Sequence, residues 1–187
     1  MNPKRLYIAG ILIAALPFVA AAGPVIASGP PDGSISGIPG STVGWGFTVQ
    51  ADPTDWVSFV TSLTLFESNP SLGFYTDFIG FQGGPVDFVL PPASPDWTQS
   101  FDATAETGLG SYTIDPSALP GAVDSGSIHI EYQLFSDDPN TCGACSVGSG
   151  SADLPFQVTV VPTPEPASWY LLAAGIGLLA SRRRKKE

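Results

Sequence analysis

Apolar and polar side chains alternate along much of the middle of this chain. In one segment, residues 56–67, one face is shared by Val57, Phe59, Thr61, Leu63 and Leu65. In another, residues 127–135, it is shared by Ile128, Ile130, Tyr132 and Leu134, with His129, Glu131 and Gln133 opposite. A period of two predicts half-buried antiparallel strands. Further strands are predicted at 42–50, 75–81, 86–90, 98–102, 110–114 and 155–161.

The Gly and Pro residues between these segments favour short strands over helices. The chain contains 21 Gly and 19 Pro residues, which leave no stretch for a long amphipathic helix. Its 11 Phe and 4 Trp residues supply enough apolar surface for a core, which argues against disorder. We therefore predict an all-β domain, an antiparallel β-sandwich of immunoglobulin-like or jelly-roll topology, with six to eight strands.

The N-terminus has the anatomy of a secretory signal peptide. Lys4 and Arg5 precede an apolar run at 6–22, and small residues follow. Cleavage after Ala22 and cleavage after Ala27 both fit the small-residue rule for the cut. The alternative is a retained membrane anchor, but a run of 17 residues is near the lower limit for spanning. Residues 1–27 are assigned to the signal segment.

A second apolar run, residues 167–180, lies near the C-terminus and predicts a short transmembrane helix. Its 14 residues would span about 21 Å as a helix, short of the ~30 Å hydrocarbon core. The apolar positions that define it are Ala167, Leu171, Leu172, Ile176, Leu178 and Leu179. A basic stop that favours the cytoplasmic side follows it, comprising Arg182, Arg183, Arg184, Lys185 and Lys186.

Pro164, Glu165 and Pro166 stand directly before this apolar run. The tripeptide, the short helix and the basic tail together resemble the PEP-CTERM sorting signal that exosortases recognise in Gram-negative bacteria. The resemblance covers residues 161–187 and implies export through the general secretion machinery, transient anchoring in the inner membrane and cleavage near the tripeptide. It also implies a final location at the cell surface or in the extracellular matrix. The alternative is an ordinary single-pass anchor with a proline-rich linker.

This layout divides the chain into the signal segment, a β-sandwich domain at 28–161 and a sorting signal at 162–187. Three segments of the domain, at 40–47, 75–78 and 108–110, resemble small PEP-CTERM proteins of unassigned activity. That resemblance is looser than the one at the C-terminus. It implies no catalytic residue.

The charge distribution excludes several classes of partner. Of the 17 acidic residues all but Glu187 lie between Asp32 and Glu165, whereas all 7 basic residues lie at the two ends. The exported domain therefore has no basic footprint for nucleic acid or anionic lipid. Its carboxylates must be solvated, hydrogen-bonded to backbone amides or neutralised by external cations.

Cys142 and Cys145 are the only cysteines, and in an exported protein they are expected to form a disulfide. A redox role would need a thioredoxin-like context that the pattern does not show. A zinc site would need four ligands, and His129 is the only histidine that could join the pair. A redox role and a zinc site remain open as alternatives to the structural disulfide, but no metal site is assigned.

Calcium binding is the weaker of two interpretations of the densest group of oxygen ligands. That group comprises Asp137, Asp138, Asn140 and Asp153. Calcium prefers six to eight oxygen ligands, but the spacing matches neither an EF-hand nor a nonapeptide repeat. A solvated turn is the favoured interpretation, so no cofactor is assigned.

Enzyme activity is not expected. His129 is the only histidine, no Ser-His-Asp spacing is recognisable, and the domain lacks the cations that stabilise many transition states. The favoured function is a non-enzymatic surface or matrix protein. The alternative is a carbohydrate-binding module for exopolysaccharide, in which Trp45, Trp56 and Trp97 stack on sugar rings instead of packing in the core.

Overall fold

The computed structural model describes residues 23–80 and 89–163. Within these ranges the chain forms strands and no helix, which confirms the predicted all-β class. The strands are β1 (Val25–Gly29), β2 (Ser34–Gly37), β3 (Thr42–Gln50), β4 (Trp56–Leu65), β5 (Gly73–Asp77), β6 (Val89–Leu90), β7 (Trp97–Gln99), β8 (Gly110–Ile114), β9 (Val123–Phe135) and β10 (Ser146–Val160).

The segments predicted to flank the domain as helices, 6–22 and 167–180, lie outside the described residues, as does the sorting motif from Pro164 onward. None of the residues that the structure describes belongs to a helix long and apolar enough to cross a membrane.

The strands form two sheets. The first has the order β1-β3-β8-β5, with β7 also paired to β3, and the second has the order β2-β10-β9-β4-β6. The pairing of β2 with β10 is parallel, whereas β9 and β10 form a long antiparallel pair that runs from Phe135 and Ser146 to Val123 and Thr159. The last strand of the domain is therefore held on both sides inside the second sheet.

The two sheets pack face to face in a sandwich-like arrangement. The Trp45 ring of the first sheet meets the Phe156 ring of the second edge-on, with 5.7 Å between centroids, and Phe47 lies 6.3 Å from Phe59. All four side chains are at most 2% exposed. Burying each such side chain contributes about 1.5–3 kcal/mol, so the interface between the sheets is the hydrophobic core. The finer topology, immunoglobulin-like or jelly-roll, stays a prediction.

A β-bulge in β4 overturns part of the predicted alternation. The register with β9 shifts between Phe59 and Thr61, so one extra residue enters β4 at this point. Val57 and Phe59 face the core as predicted, but beyond the bulge the buried residue is Ser62, whereas Leu63 is 38% exposed. A bulge inserts one residue into a strand and exchanges the two faces beyond it. The prediction that Thr61, Leu63 and Leu65 share the face of Val57 is therefore wrong.

The ends of the domain also differ from the prediction. The prediction missed β1 and β2, and β1 begins at Val25, three residues before the assigned boundary at 28. The final strand begins at Ser146, well before the predicted start at 155. Residues 146–151 are mostly Ser and Gly, which favour strands weakly. They are extended here because they pair with β9.

Several aspartates accept hydrogen bonds from N–H and O–H groups of the chain itself. The described ranges contain neither Lys nor Arg, and their turns use aspartate oxygens as acceptors for backbone N–H groups. Hydrogen bonds from Ala105 and Thr104 lower the pKa of Asp102, and those from the Ser117 side chain and N–H lower the pKa of Asp115. In the buried Asp52, Oδ1 accepts from the Thr54 N–H, the Thr54 hydroxyl and the Asp55 N–H, while Oδ2 has no hydrogen-bond partner.

Asp77 joins the two sheets. Its Oδ2 accepts hydrogen bonds from the Thr61 hydroxyl at 2.8 Å and the Ser62 N–H at 2.9 Å. Its Oδ1 accepts from the Ser62 hydroxyl at 2.5 Å and the Ile79 N–H at 2.7 Å. Among the described residues, β6 pairs with β4 only near the start of β4. Further along this edge the Ser62 N–H has no neighbouring strand, among those described, to bind, and the Asp77 carboxylate accepts its hydrogen bond instead.

Asp124 performs a similar task inside the domain. Its side chain is fully buried, Oδ2 accepts from the Tyr112 hydroxyl at 2.8 Å, and Oδ1 accepts from the Asn69 N–H at 2.8 Å. Burial raises the pKa of the Tyr112 phenol, and the adjacent carboxylate raises it further. Tyr112 therefore stays protonated and donates from β8 to β9, while the separate bond from the Asn69 N–H fixes the loop around Asn69 to β9.

The position of β1 leads to a prediction about the signal peptide. A cut after Ala27 would remove Val25, Ile26 and Ala27 from the edge of β3, including the side chain of Ile26, which packs against the core. We expect cleavage after Ala22, so N-terminal sequencing of the exported protein should begin at Gly23. A mature protein that begins at Ser28 would contradict this.

Asp77→Asn should destabilise the fold more than Asp124→Asn. The side-chain amide introduced by Asp77→Asn can be placed in two orientations, and in each one its NH2 group faces a backbone N–H, either that of Ser62 or that of Ile79. That N–H loses its acceptor, and an unsatisfied donor costs about 1–3 kcal/mol. In Asp124→Asn the NH2 can instead face the Tyr112 hydroxyl, which can accept.

Urea unfolding of both variants measures this difference. The control is Asp96→Asn, which removes the same charge at an exposed position. Equal losses for Asp77→Asn and Asp124→Asn would contradict the role given to the Asp77 hydrogen bonds.

Candidate functional site

The chain leaves the domain from a fixed point. Val160, at the end of β10, is 1% exposed; its N–H donates to Ala122 O at 2.9 Å, and its carbonyl accepts from the Gly121 N–H at 2.8 Å. The N–H of Val161 then donates to Gly37 O at 2.8 Å. Pro162 and Thr163 follow and are exposed. The domain therefore holds its C-terminal segment firmly up to Val161.

The loops around this point are also held in place. We call the surface formed by residues 37–41, 115–123 and 161–163 the exit pole. Gly40 and Ser41 are hydrogen-bonded with Ile114 at the end of β8, and the N–H of Ala122 donates to Leu119 O at 3.0 Å. Gly40 has a φ of +78°, which only a glycine adopts easily beside Pro116. Leu119 is 75% exposed at this end of the molecule.

A second feature lies on the outward face of the second sheet. Two depressions of about 420 and 230 Å³ share Val60 and Gln133, and we call their union the outer-face groove. Beyond the two shared residues, its main polar lining consists of Ser58, His129, Glu131, Asn140, Ser149 and Ser151. The groove is bounded by Phe135, Pro139 and Val89 at the end near the cysteine loop.

His129 is held by carboxylates at this groove. Its Nδ1 lies 2.7 Å from Asp153 Oδ1, and its Nε2 lies 3.9 Å from Glu131 Oε1. Both carboxylates are well exposed to solvent. The prediction that His129 lies on the polar face of its strand is confirmed, and its Nδ1 is within hydrogen-bond distance of Asp153.

The structure does not bring the proposed calcium ligands together. Asp153 pairs with His129 in the middle of the β9–β10 ladder, six residues from Phe135, where the loop with Asp137 and Asp138 begins. At about 3.4 Å per residue this separates Asp153 from the loop by roughly 20 Å. Within the loop, Asp138 Oδ1 accepts from the Asn140 N–H, as in a solvated turn. Among the described residues no group of three acidic, His or Cys side chains could hold a metal ion.

Cys142 and Cys145 are joined by a disulfide in the loop between β9 and β10, with 5.8 Å between their Cα atoms. The Sγ atoms of both residues lie near the carbonyl oxygen of Asp137. His129 is far from this loop and already bound to Asp153. The disulfide therefore lies in the same loop as Pro139 and Asn140, which line the groove.

The three tryptophans do not form one platform. Trp45 is fully buried, and its indole N–H donates to Gly33 O at 2.7 Å. Trp97 packs edge-on against Phe47 with 5.5 Å between centroids. Trp56 stands opposite Phe135, which lines the outer-face groove, in the β4–β9 register. Stacking of sugar on Trp45 is therefore excluded in this fold.

Most of the groove could not be predicted from the sequence. The alternation in 127–135 places Gln133 on the same face as Glu131 and His129, so this part of the lining could be predicted from the sequence. Ser149 and Ser151 lie in the stretch of β10 that was not predicted as a strand, and Val60 lines the groove at the bulge in β4. The register that brings these three residues together comes from long-range pairing.

Comparison with known proteins identifies the segment that begins within the exit pole, at residue 162. Residues 162–185 match the family model of the PEP-CTERM protein-sorting motif. A search of the curated proteins found no match for the chain. The motif begins one residue after the last described hydrogen bond of the domain, at Val161. The resemblance predicted from Pro164, Glu165 and Pro166 is confirmed. It implies export, recognition by an exosortase, which is a membrane processing enzyme, and transient sorting at the membrane. The chain is thus a protein that carries a PEP-CTERM sorting signal at its C-terminus.

Proposed function

We propose that the β-domain is a non-enzymatic component of the cell surface or extracellular matrix, released there when an exosortase removes the C-terminal signal. The observation that carries this proposal is the direct junction between β10 and the motif. The domain is closed and hydrogen-bonded up to Val161, and the matched motif begins at Pro162. Cleavage beyond this point leaves every described strand intact.

Two properties of the domain support a structural role. Its exposed carboxylates without internal cations favour a hydrated, soluble particle. The one histidine has Nδ1 within hydrogen-bond distance of Asp153, and its Nε2 lies 3.9 Å from Glu131 Oε1, so the charged neighbours of its ring are carboxylates. Both properties are more typical of a non-catalytic component of a surface layer than of an acyl-transfer enzyme.

Removal of the basic tail tests the sorting step. We expect the surface-localised protein to lack residues 182–186 in the native host, because cleavage near Pro164 detaches the whole apolar segment. Intact-mass analysis, in the host with and without its exosortase, measures this. Replacing Pro164, Glu165 and Pro166 by Ala should leave the tail attached, whereas Glu131→Gln in the domain should not change processing. A surface protein that retains Arg182–Lys186 would refute the proposal.

A carbohydrate-binding module is the second candidate, and the outer-face groove favours it. The groove offers amide and hydroxyl groups at Gln133, Asn140, Ser149 and Ser151, which can hydrogen-bond sugar hydroxyls. Trp56 and Phe135 supply aromatic surface at one end. The ligand class would be a neutral or cationic polysaccharide, since Glu131 and Asp153 would repel an acidic one.

Gln133→Ala should weaken binding of the host's purified exopolysaccharide by up to about tenfold, because a hydrogen bond contributes a net ~0.5–1.5 kcal/mol. Gln157→Ala is the matched control, since Gln157 is an exposed glutamine on the same sheet that does not line the groove. Titration calorimetry on folded variants measures both affinities. Equal binding by the two variants, or no binding by the parent, would exclude the groove as a glycan site.

A further inference from the structure

The exit pole differs in composition from the remainder of the domain. Asp115 is its only acidic residue, although acidic residues are spread through most of the domain. Its exposed side chains include Leu119, Pro116 and Pro120, and Ile38 and Pro39 are half-buried beside them. The end from which the chain departs is therefore nearly uncharged and partly apolar.

The length of the connection places this end close to the bilayer. Six residue steps join Val161 to Ala167, the first residue of the apolar segment, and at ~3.6 Å per step they span at most about 21 Å. The headgroup layer occupies roughly 5–7 Å of this distance on one side. While the apolar segment is inserted, the domain cannot leave the neighbourhood of the membrane surface.

Orientation follows from the anchor point and the charge distribution. Because Val160 and Val161 are hydrogen-bonded to residues 121–122 and to Gly37, the loops of the exit pole surround the point from which the tether departs. The carboxylate-rich faces of the domain are repelled by an anionic lipid surface. The exit pole can approach with the least electrostatic penalty, and it presents Leu119 to the interface.

We propose that the exit pole is a membrane-contact surface, which rests on the lipid headgroup layer with Leu119 at the interface until the sorting signal is cut. The contact requires no basic residue, since the tether supplies proximity and the pole supplies apolar surface. Release of the tether ends the contact, because the acidic domain then has nothing to hold it at the bilayer. This inference rests on the membrane-anchored stage of the proposed function.

Single-cysteine labelling of the signal-cleaved chain, residues 23–187, can test it. Cys142 and Cys145 are the only native cysteines and are disulfide-bonded, so an introduced cysteine provides the one reactive thiol. Leu119→Cys carries an environment-sensitive fluorophore at the pole. Val147→Cys is the matched control, because Val147 is a 56% exposed residue at the opposite end of β10. Both positions are exposed, so neither variant should disturb the core.

The labelled, uncleaved proteins are reconstituted into vesicles of phosphatidylethanolamine and phosphatidylglycerol without processing enzyme. We expect at least a twofold lower acrylamide quenching constant and a blue-shifted emission at Leu119→Cys relative to Val147→Cys. Equal quenching at the two positions on vesicle-bound protein would overturn the membrane contact while leaving the sorting function intact. Shielding at Leu119→Cys that arises only after an exosortase is added would also overturn it, in favour of a protein contact.

Flotation of the same samples distinguishes failure of membrane insertion from failure of the contact at the exit pole. Chains that do not float with the vesicles would show that the C-terminal segment does not insert, and the proposed sorting function would fail with the contact. Leu119→Asp with a label at Pro120→Cys provides a second measurement. The charge added by Leu119→Asp should raise the acrylamide quenching constant of the label at Pro120→Cys at least twofold, towards the value at Val147→Cys. An unchanged quenching constant would contradict the role of Leu119.

Discussion

Within residues 23–80 and 89–163, the carboxylates of Asp77 and Asp124 bind donors that belong to the polypeptide itself, since these ranges contain neither lysine nor arginine. A buried carboxylate without hydrogen bonds is costly, so each must be placed where N–H and O–H groups converge. Asp77 thereby joins the edge of β4 to β5, and Asp124 joins the loop at Asn69 to β9. The acidic composition is compatible with a compact fold because of these placements.

The same second sheet connects the fold to the sorting function. Strand β10 lies between β2 and β9 and continues into the motif at residue 162. A terminal strand at a sheet edge could peel away under a pull from the membrane, but β10 is hydrogen-bonded on both sides near its end. The parallel partner β2 matters here, since it supplies Gly37 as the acceptor for Val161. The described strands are therefore complete before the matched motif begins.

The outer-face groove and the exit pole occupy different parts of the domain. The groove lies on the outward face of β4, β9 and β10 towards the cysteine loop, whereas the pole surrounds the opposite end of β10. Contact of the pole with a membrane would leave the groove open to solvent. The two proposals can thus be true together, and each can fail without the other.

The sequence alone determined the features that depend on local pattern. Alternation located β3 at Thr42–Gln50 and β8 at Gly110–Ile114, and the order of tripeptide, apolar run and basic tail identified the sorting motif, because such a signal is read along the chain. Only the tertiary structure decided the features that depend on pairing between distant residues. The bulge that turns Leu63 outward, the burial of Trp45 and the separation of Asp153 from Asp137 all follow from strand register, and register is set by the packing of both sheets. The Ser and Gly residues of β10 became a strand for the same reason, since β9 supplies the hydrogen bonds that their own propensities do not favour.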